Sequence, residues 1–173
     1  MDNPHTPEVN MAYLAAIIDG EGMITLERTG NRRLNNVMGL SPRIVIANTN
    51  EAIIQHIANL FRSVGANPHI RSRQEQNGWK RCMWISVQGL SKCRKVLEAI
   101  KPFLVGKFAQ AELALEFIRL RGDSQLAKGK PYGPAEMSIL DRIRALNRRG
   151  VTETERYEAD RAQRGCKVTV QPA

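Results

Sequence analysis

Apolar and polar side chains alternate along this chain with two different periods, and each change of period marks a new element. A Thr-Pro-Glu start at residues 6–8 predicts a helix that runs through Asp19 and ends at the glycines that follow. Residues 23–29 then alternate apolar and polar side chains, as in a half-buried strand, and the β-branched run at 43–47 predicts a second strand. The beginning of the chain therefore predicts a helix followed by a β-hairpin.

The next part of the chain repeats this order. Asn50 can cap a helix whose apolar residues, beginning at Ile53, keep a 3.6-residue period until Gly65 ends it. An Asn-Gly pair at residues 77–78 is a strong turn signal between two further strand patterns. The remaining predicted elements are strands at 69–74 and 79–87 and helices at 91–100 and 103–121. The predicted order is α-β-β-α-β-β-α, which is an α+β fold.

A change of composition divides the chain after residue 122. Residues 123–133 are rich in Gly, Lys, Pro and Ser, which is typical of a linker, and an amphipathic helix follows Pro134. The residues predicted to face inward from this helix are Met137, Leu140, Ile143 and Leu146. We therefore expect a core at 1–122 and, at 123–173, a linker with a C-terminal helical extension.

The charge balance indicates a polyanionic partner. The chain has 173 residues, with 26 Lys and Arg against 17 Asp and Glu, and a net charge of +9. Ten basic residues and only two acidic ones lie between Arg62 and Lys107. Such a field attracts nucleic acid, although a generic basic surface kept for solubility explains the same charge. Charge alone leaves both interpretations open.

Cysteine spacing and hydropathy exclude several classes of protein. Cys82, Cys93 and Cys166 form no C-x-x-C pair, which rules out a zinc finger and favours a reducing compartment. No apolar run reaches the ~18 residues that a membrane span needs, and the first residues lack the pattern of a signal peptide. We expect an intracellular, cytoplasmic protein that has neither a membrane nor a small-molecule substrate as its partner.

The first predicted helix carries small side chains on one face and carboxylates at its end. That face consists of Ala12, Ala15, Ala16 and Asp19. Small residues let two helix backbones approach closely. The helix leads into an Asp-Gly-Glu-Gly segment at 19–22, where two carboxylates lie at the negative end of the helix dipole. Such a field suits a hard divalent cation, although a buried alanine-rich helix with a polar last turn explains the same pattern.

Residues 14–22, Leu-Ala-Ala-Ile-Ile-Asp-Gly-Glu-Gly, resemble the signature of the LAGLIDADG homing endonucleases. They match it at most positions, with conservative apolar changes, Gly for Ala at the seventh position and Glu for the second Asp. Ala16 stands where Gly is common, which is a modest departure. The predicted order of elements over residues 8–121 is similar to the family's core, with the signature at the end of the first helix.

The resemblance implies a metal-dependent nuclease site. In the family, the second acidic residue of the signature binds divalent metal near the scissile phosphates, and here that residue is Glu21. Glu21 and the Gly20 carbonyl would then hold Mg²⁺, with Mn²⁺ as a substitute, whereas Asp19 would brace paired helices. Asn48 and Lys107 fit two further family positions, near the nucleophilic water and at the start of the last core helix. Asn48 is equally explained as a turn or capping residue.

A single signature implies a homodimer. Members with one signature pair two copies through their signature helices, so the small-residue face defined above is the implied dimer interface. Twofold symmetry then implies a palindromic or near-palindromic target in double-stranded DNA. A second basic residue, which some members carry near the start of the second helix, has no clear counterpart here, since Ala52 and Ile53 occupy the region.

The resemblance also implies one antiparallel sheet of four strands whose concave face lies in the DNA major groove. Strand alternation counted from Glu21 assigns the side chains on that face. They are Thr25, Glu27, Thr29, Arg43, Arg71, Arg73, Lys80, Cys82, Trp84 and Ser86, whereas Arg32 and Arg33 in the first turn are expected to meet backbone phosphate. Arg71 and Arg73 suit guanine, because Arg pairs bidentately with that base, although phosphate contact or plain solvation explains them as well.

The function implied is a Mg²⁺-dependent homing endonuclease that makes a double-strand break with short 3′ overhangs and supports intron or intein mobility. An organellar location would follow if an organellar intron encodes the protein. Two other classes stay open: a nuclease-dead relative that assists RNA splicing as a maturase or regulates DNA, and a generic basic binding module. A nuclease-dead member has no reason to keep Glu21, yet some splicing helpers retain that carboxylate. Only cleavage that depends on Glu21 separates these classes.

Overall fold

A computed structural model describes residues 6–30, 38–73, 80–122 and 131–148. In chain order the elements are α1 (Pro7–Glu21), β1 (Gly22–Gly30), β2 (Met38–Asn48), α2 (Glu51–Ser63), β3 (His69–Arg73), β4 (Cys82–Gln88), α3 (Leu90–Ile100), a 3₁₀ turn (Lys101–Phe103), α4 (Phe108–Arg121) and α5 (Pro134–Asn147). The predicted α+β fold is therefore confirmed. Arg32, Arg33, the predicted turn at 77–78 and the side chain of Thr29 lie outside the described residues.

The four strands form one antiparallel sheet in the order β1-β2-β4-β3. Thr25 pairs with Arg43, and Arg71 pairs with Trp84, so these four residues lie on one face of the sheet. The opposite face is apolar, and its residues include Ile24, Leu26, Ile44, Ile46, Ile85 and Val87, each almost fully buried. Because strand side chains alternate between faces, one register places all of these residues correctly.

The helices cover the apolar face of the sheet. The stripe predicted on α2 is buried at Ile57, Leu60 and Phe61. Phe61 and Phe117 are among the largest fully buried side chains of the common core. No helix in the described ranges is long and apolar enough to cross a membrane.

Helix α5 packs into this same core. Ile139, Leu140 and Ile143 are buried in the cluster that contains the sheet residues. The helix packs against α4 and β1, so it forms part of the layer that covers the sheet. Leu146 was expected to face inward with them, but it is 47% exposed, because it belongs to the last turn of the helix beyond this contact.

The predicted helix at 103–121 is shorter in the structure. Helix α4 begins at Phe108, and residues 104–107 form a separate connection after the 3₁₀ turn. The backbone N–H groups of Val105, Gly106 and Lys107 donate to the Asp19 carboxylate at 2.8, 3.1 and 2.8 Å. This long-range contact holds the connection out of helical geometry, and a local helix pattern cannot reveal it.

Cys93 is a fully buried thiol on α3. Its Sγ donates to the carbonyl oxygens of Pro42 at 3.2 Å and Val87 at 3.5 Å. Burial raises the pKa of the Cys93 thiol to about 12 from 9.0, because the thiolate would lose its hydration; hydrogen bonds from the backbone oppose this shift. The thiol therefore stays protonated in the folded chain at any ordinary pH.

We predict that this thiol makes the fold less stable between pH 9.0 and about 12. Its stabilising effect is complete below pH 9.0 and declines as pH rises, because only the unfolded chain loses the proton there; the loss approaches about 1.4 kcal/mol per pH unit. Urea unfolding of wild type and Cys93→Ala at pH 8, 9, 10 and 11 measures it. The difference in free energy of unfolding between the two proteins should shrink above pH 9. A difference that stays constant with pH would contradict the assignment.

Candidate active site and nucleic-acid interface

The junction between α1 and β1 brings the signature carboxylates to the edge of the sheet. Helix α1 ends at Glu21, and Gly22 begins β1 while its N–H donates to the Ile18 carbonyl. A Cβ on Gly22 would lie 2.7 Å from the Ile18 Cα and 2.8 Å from the Ile18 carbonyl oxygen. Only glycine permits this close return of the chain. Gly20 has no atom within 4 Å of the position that a Cβ would take, so the other side of the junction is open.

Asn48 orients the Glu21 carboxylate. Its side-chain nitrogen donates to Glu21 Oε2 at 2.6 Å, and its Oδ1 accepts from the Asn50 backbone N–H at 2.7 Å. Asn50 in turn caps α2 by accepting from the N–H groups of Ala52 and Ile53. One amide therefore closes the turn and holds Glu21, whereas the place of Asn48 near the nucleophilic water stays a prediction.

Lys107 reaches the same junction from the other side. Its ammonium donates to the Asp19 backbone carbonyl oxygen, and its own N–H donates to the Asp19 carboxylate. Asp19 was predicted to brace a pair of helices between two copies, and that role stays a prediction. Within the described residues, the Asp19 carboxylate accepts hydrogen bonds from the backbone N–H groups of residues 105–107 of the same chain. Asp19 thus joins α1 to the start of α4.

The oxygen donors at this junction fit a hard divalent cation that DNA would complete. No three His, Cys, Asp or Glu side chains lie together as a metal cage in the described ranges. Glu21 is exposed and uses Oε2 for Asn48, and Gly20 beside it is exposed as well. Mg²⁺ is commonly held by one or two carboxylates, with waters and substrate phosphates as the other ligands. The oxygen donors of Glu21 and Gly20 fit that mode of binding. They are too few to form a site made of protein ligands alone.

The small-residue face of α1 is shifted from its predicted position. Ala15 was predicted in a dimer interface, but it is 0% exposed, because it packs in the chain's own core beside Leu14 and Ile18. Ala16 is exposed as predicted, and Ala12 is half-buried. The exposed stripe of α1 consists of Val9, Tyr13, Ala16 and Gly20. Offsets of 3.6 residues fit both stripes, so the alanine pattern alone could not separate them.

The polar face of the sheet carries an ion pair near its centre. Arg43 Nη1 donates to both Glu27 oxygens at 2.8 and 2.9 Å, and the two side chains are 25% and 38% exposed. Ser86 was predicted to face DNA, but it is 7% exposed and accepts from Arg43 Nη2 at 3.5 Å. Ser86 therefore supports Arg43 and has little surface left for DNA. Among the described residues, the buried Arg43 Nε has no hydrogen-bond partner.

Arg71, Arg73 and Lys80 are exposed, and Trp84 is half-buried on the same face. Arg71 Nε donates to His69 Nε2 at 3.0 Å, and Gln88 Nε2 donates to Glu27 Oε2 at 3.3 Å. His69 and Gln88 were missed in the sequence. Each lies two positions beyond a residue that was assigned to the face, so the same alternation, extended by one step, finds them. A groove of about 370 Å³ is lined by side chains of this cluster.

Comparisons with known proteins agree with this geometry. Residues 8–101 match the family model described as a LAGLIDADG-like domain. No curated protein sequence matches the chain. Among solved structures, the homing endonuclease I-CvuI in complex with its target is similar with a TM-score of 0.64 and 18% identity, over 94% of this chain and 98% of that one.

Two further structures show the same fold. An archaeal intron-encoded homing endonuclease, I-Vdi141I complexed with DNA, has a TM-score of 0.60 and 13% identity, with coverage of 86% of this chain and 90% of that one. The homing endonuclease I-TnaI has a TM-score of 0.58 and 15% identity, with coverage of 91% and 97%. At these identities the structures show only that the chain shares their fold. Membership of the family rests on the family model.

We predict that Asp19→Asn lowers the free energy of unfolding by about 1–2 kcal/mol, because the amide has a single oxygen for three N–H donors. Asp141→Asn on the exposed surface of α5 is the control and should change stability by less than about 0.5 kcal/mol. Chemical denaturation followed by circular dichroism measures both. Equal stability of the two variants would show that Asp19 does not hold the start of α4.

Proposed function

The chain belongs to the family of LAGLIDADG-like domains, and from this premise we propose that it is a site-specific DNA endonuclease that depends on a divalent metal. In our proposal it makes a double-strand break in a long, near-palindromic target and so supports the mobility of an intron or intein. Double-stranded DNA is its partner, and the active form is a homodimer inside the cell. The metal is Mg²⁺, and Mn²⁺ can replace it.

One observation carries this proposal: an exposed carboxylate that is held in place at the edge of a basic sheet. Glu21 is the last residue of α1, and the Asn48 amide fixes one of its oxygens at 2.6 Å. Lys107 reaches the same junction. Hydrolysis of a phosphodiester requires a fixed carboxylate that can hold a metal ion. It also requires a nearby cation that balances the negative charge of the transition state. A module that only binds DNA has no need of it.

The residues take separate roles in the proposed hydrolysis. Glu21 and the Gly20 carbonyl would hold the metal, which when bound supplies an acidified water and stabilises the leaving oxygen. Asn48 keeps the Glu21 carboxylate in one orientation, and its turn with Asn50 prevents rotation of the amide. The Lys107 ammonium, with one donor on the Asp19 carbonyl, has two more donors for a phosphate oxygen.

Twofold assembly follows from the number of carboxylates. One chain has one Glu21, and cutting both strands of a duplex in one complex needs two. The exposed stripe of α1 offers Ala16 and Gly20 as small residues for close packing of two helices, with Val9 48% and Tyr13 37% exposed beside them. Pairing of two copies through this stripe would bring their Glu21 side chains near each other.

The polar face of the sheet would read the target. Arg71 and Arg73 lie on this face and are exposed, so they can reach base edges in the major groove. Arg43 is held by Glu27, which fixes the direction of its guanidinium. Thr25 and Trp84 complete the contact surface, and Lys80 lies just before β4.

We predict that Glu21→Gln abolishes cleavage and keeps DNA affinity within about threefold, because the amide keeps the shape and loses the charge that a metal needs. The measurement is cleavage of a randomised inverted-repeat DNA library with Mg²⁺, read by sequencing of the cut ends. Glu98→Gln, an exposed change on α3, is the matched control and should cut like wild type.

Discrete symmetric cuts by wild type and by the control, with none by Glu21→Gln, support the endonuclease. Cuts by all three proteins would remove Glu21 from the mechanism. Wild-type binding to DNA or RNA without any cut would instead favour the maturase or the non-catalytic regulator.

We also predict that Ala16→Leu converts the dimer into a monomer, because a leucine on the exposed stripe keeps two helices apart. Ala135→Leu on the exposed surface of α5 is the control. Sedimentation velocity should show a dimer for wild type and for the control and a monomer for Ala16→Leu. A dimer in all three would mean that the pairing surface lies elsewhere.

A further inference from the structure

The outer part of β2 extends beyond the strand that pairs with one of its edges. Strand β1 pairs with β2 over residues 38–46 of β2, whereas β4 pairs with it only over residues 43–48. Just beyond that, the Pro42 carbonyl oxygen accepts from the Gly89 N–H at 3.0 Å, and proline has no N–H to offer. In the part of the chain that the structure describes, no strand lies beside this edge of β2 from Leu40 outward.

The hydroxyl of Tyr132 takes the place of a neighbouring strand at this edge. Its oxygen accepts from the Leu40 backbone N–H at 2.6 Å, and the same hydroxyl donates to the Leu40 carbonyl oxygen at 3.3 Å. Two residues that face each other in an antiparallel pair of strands exchange the same two kinds of hydrogen bond. Tyr132 is 92 residues away in the sequence, just before α5. A side chain from outside the sheet therefore satisfies the backbone of β2.

The ring of Tyr132 is held by α4 and by the start of α5. It stacks on Phe117 with 6.3 Å between the ring centroids, and the Arg121 guanidinium lies 4.4 Å from the Tyr132 centroid. Arg121 also forms an ion pair with Glu136 at 3.2 Å, and these two side chains are only 12% and 11% exposed. Glu136 Oε2 accepts from the Gly133 N–H at 2.6 Å, which fixes the backbone next to Tyr132. The hydroxyl is thus attached to the helix layer and not to the sheet.

The part of β2 that Tyr132 contacts carries side chains of the polar face. Ser41 follows Leu40 and lies opposite Glu27 on that face. Glu27 is six residues beyond Glu21, which puts it roughly 20 Å from the junction at about 3.3 Å per residue. Because β4 pairs with β2 only from Arg43 onward, a change of strand twist would move the outer side chains most.

We propose that Tyr132 is a positioning residue for target recognition. Its hydroxyl holds the outer part of β2, and with it Glu27 and Ser41, at the twist that lets the sheet follow the major groove. This role rests on the proposed function, because the DNA that the sheet reads is the proposed substrate. Tyr132 acts through the strand and needs no contact with DNA. The segment before α5 thereby takes part in recognition through one hydroxyl group.

The first test measures this contact in the free protein by amide hydrogen exchange. Tyr132→Phe keeps the ring and removes only the hydroxyl, and Ser138→Ala removes an exposed hydroxyl from α5 as the control. Exchange at the Leu40 amide should become about tenfold faster in Tyr132→Phe and keep the wild-type rate in Ser138→Ala. The amide of Ile46, in the middle of the sheet, should keep its rate in both variants. Unchanged exchange at Leu40 in Tyr132→Phe would overturn the proposal.

The second test measures which base pairs lose discrimination. Affinity is measured with Ca²⁺ for the selected duplex and for every single base-pair change in one half-site. A distance of roughly 20 Å corresponds to about six base pairs. Tyr132→Phe should lower discrimination about fivefold at adjacent pairs near that distance from the centre of the inverted repeat, and change it less than about twofold at pairs next to the centre. Equal weakening at all positions, or a wild-type profile, would overturn the positioning role.

A loss of stability alone gives a different result. Ile143→Val removes one buried methylene from α5 and leaves the Tyr132 hydroxyl in place, so it lowers the thermal midpoint. This variant should keep the wild-type profile of base-pair discrimination. If Ile143→Val loses discrimination at the same base pairs as Tyr132→Phe, lower stability explains the effect and the positioning role fails.

The two proposals fail in different ways. If wild type cuts DNA and Tyr132→Phe keeps the wild-type profile, the endonuclease stands and the role of Tyr132 falls. If wild type binds DNA and never cuts it, the endonuclease falls, while the base-pair profile still decides the role of Tyr132. If wild type binds no DNA, both proposals are overturned.

Discussion

The carboxylate of Asp19 is the contact on which the candidate active site depends. It binds three consecutive N–H groups at the start of α4, and the Lys107 ammonium returns to the Asp19 carbonyl. One residue therefore fixes the end of α1, and with it Glu21, relative to Lys107. The contact also balances charge, because the negative end of one helix and the N–H groups before another are satisfied together. Without it, packing of α4 against β1 would still join the two segments, but no Asp19 hydrogen bond would hold Lys107 at the end of α1.

The polar face of the sheet carries both exposed arginines and an arginine that is held by an ion pair. Exposed Arg71 and Arg73 supply positive charge, whereas Arg43 is bound to Glu27 and rests on Ser86. Holding a guanidinium in one orientation lowers the entropy that is lost when it meets a base. Glu27 is therefore compatible with a face that binds a polyanion, since it positions Arg43. In the part of the chain that the structure describes, Arg43 Nε is buried and has no hydrogen-bond partner.

Local periodicity was enough to predict the order of the elements and the two faces of the sheet. The alternation around Ile24 and Leu26, and the stripe of α2, contain this information because one face is apolar in each. The start of α4 could not be predicted, since it depends on Asp19, which is far away in the sequence. The sequence also could not predict which alanines of α1 face outward. Ala15 and Ala16 are chemically alike, and only tertiary packing buries one and exposes the other.

The close return of the chain at Gly22 limits how this protein can change through mutation. Any side chain there would meet the backbone of Ile18, and backbone cannot move aside as a flexible side chain can. Every single-nucleotide change in a glycine codon that alters the residue introduces a β-carbon or ends the chain. No one-step variant of this codon therefore escapes the clash, and lineages that keep the helix-to-strand junction must keep this glycine. Recognition residues on the sheet face no such barrier, so new targets can arise while the junction stays the same.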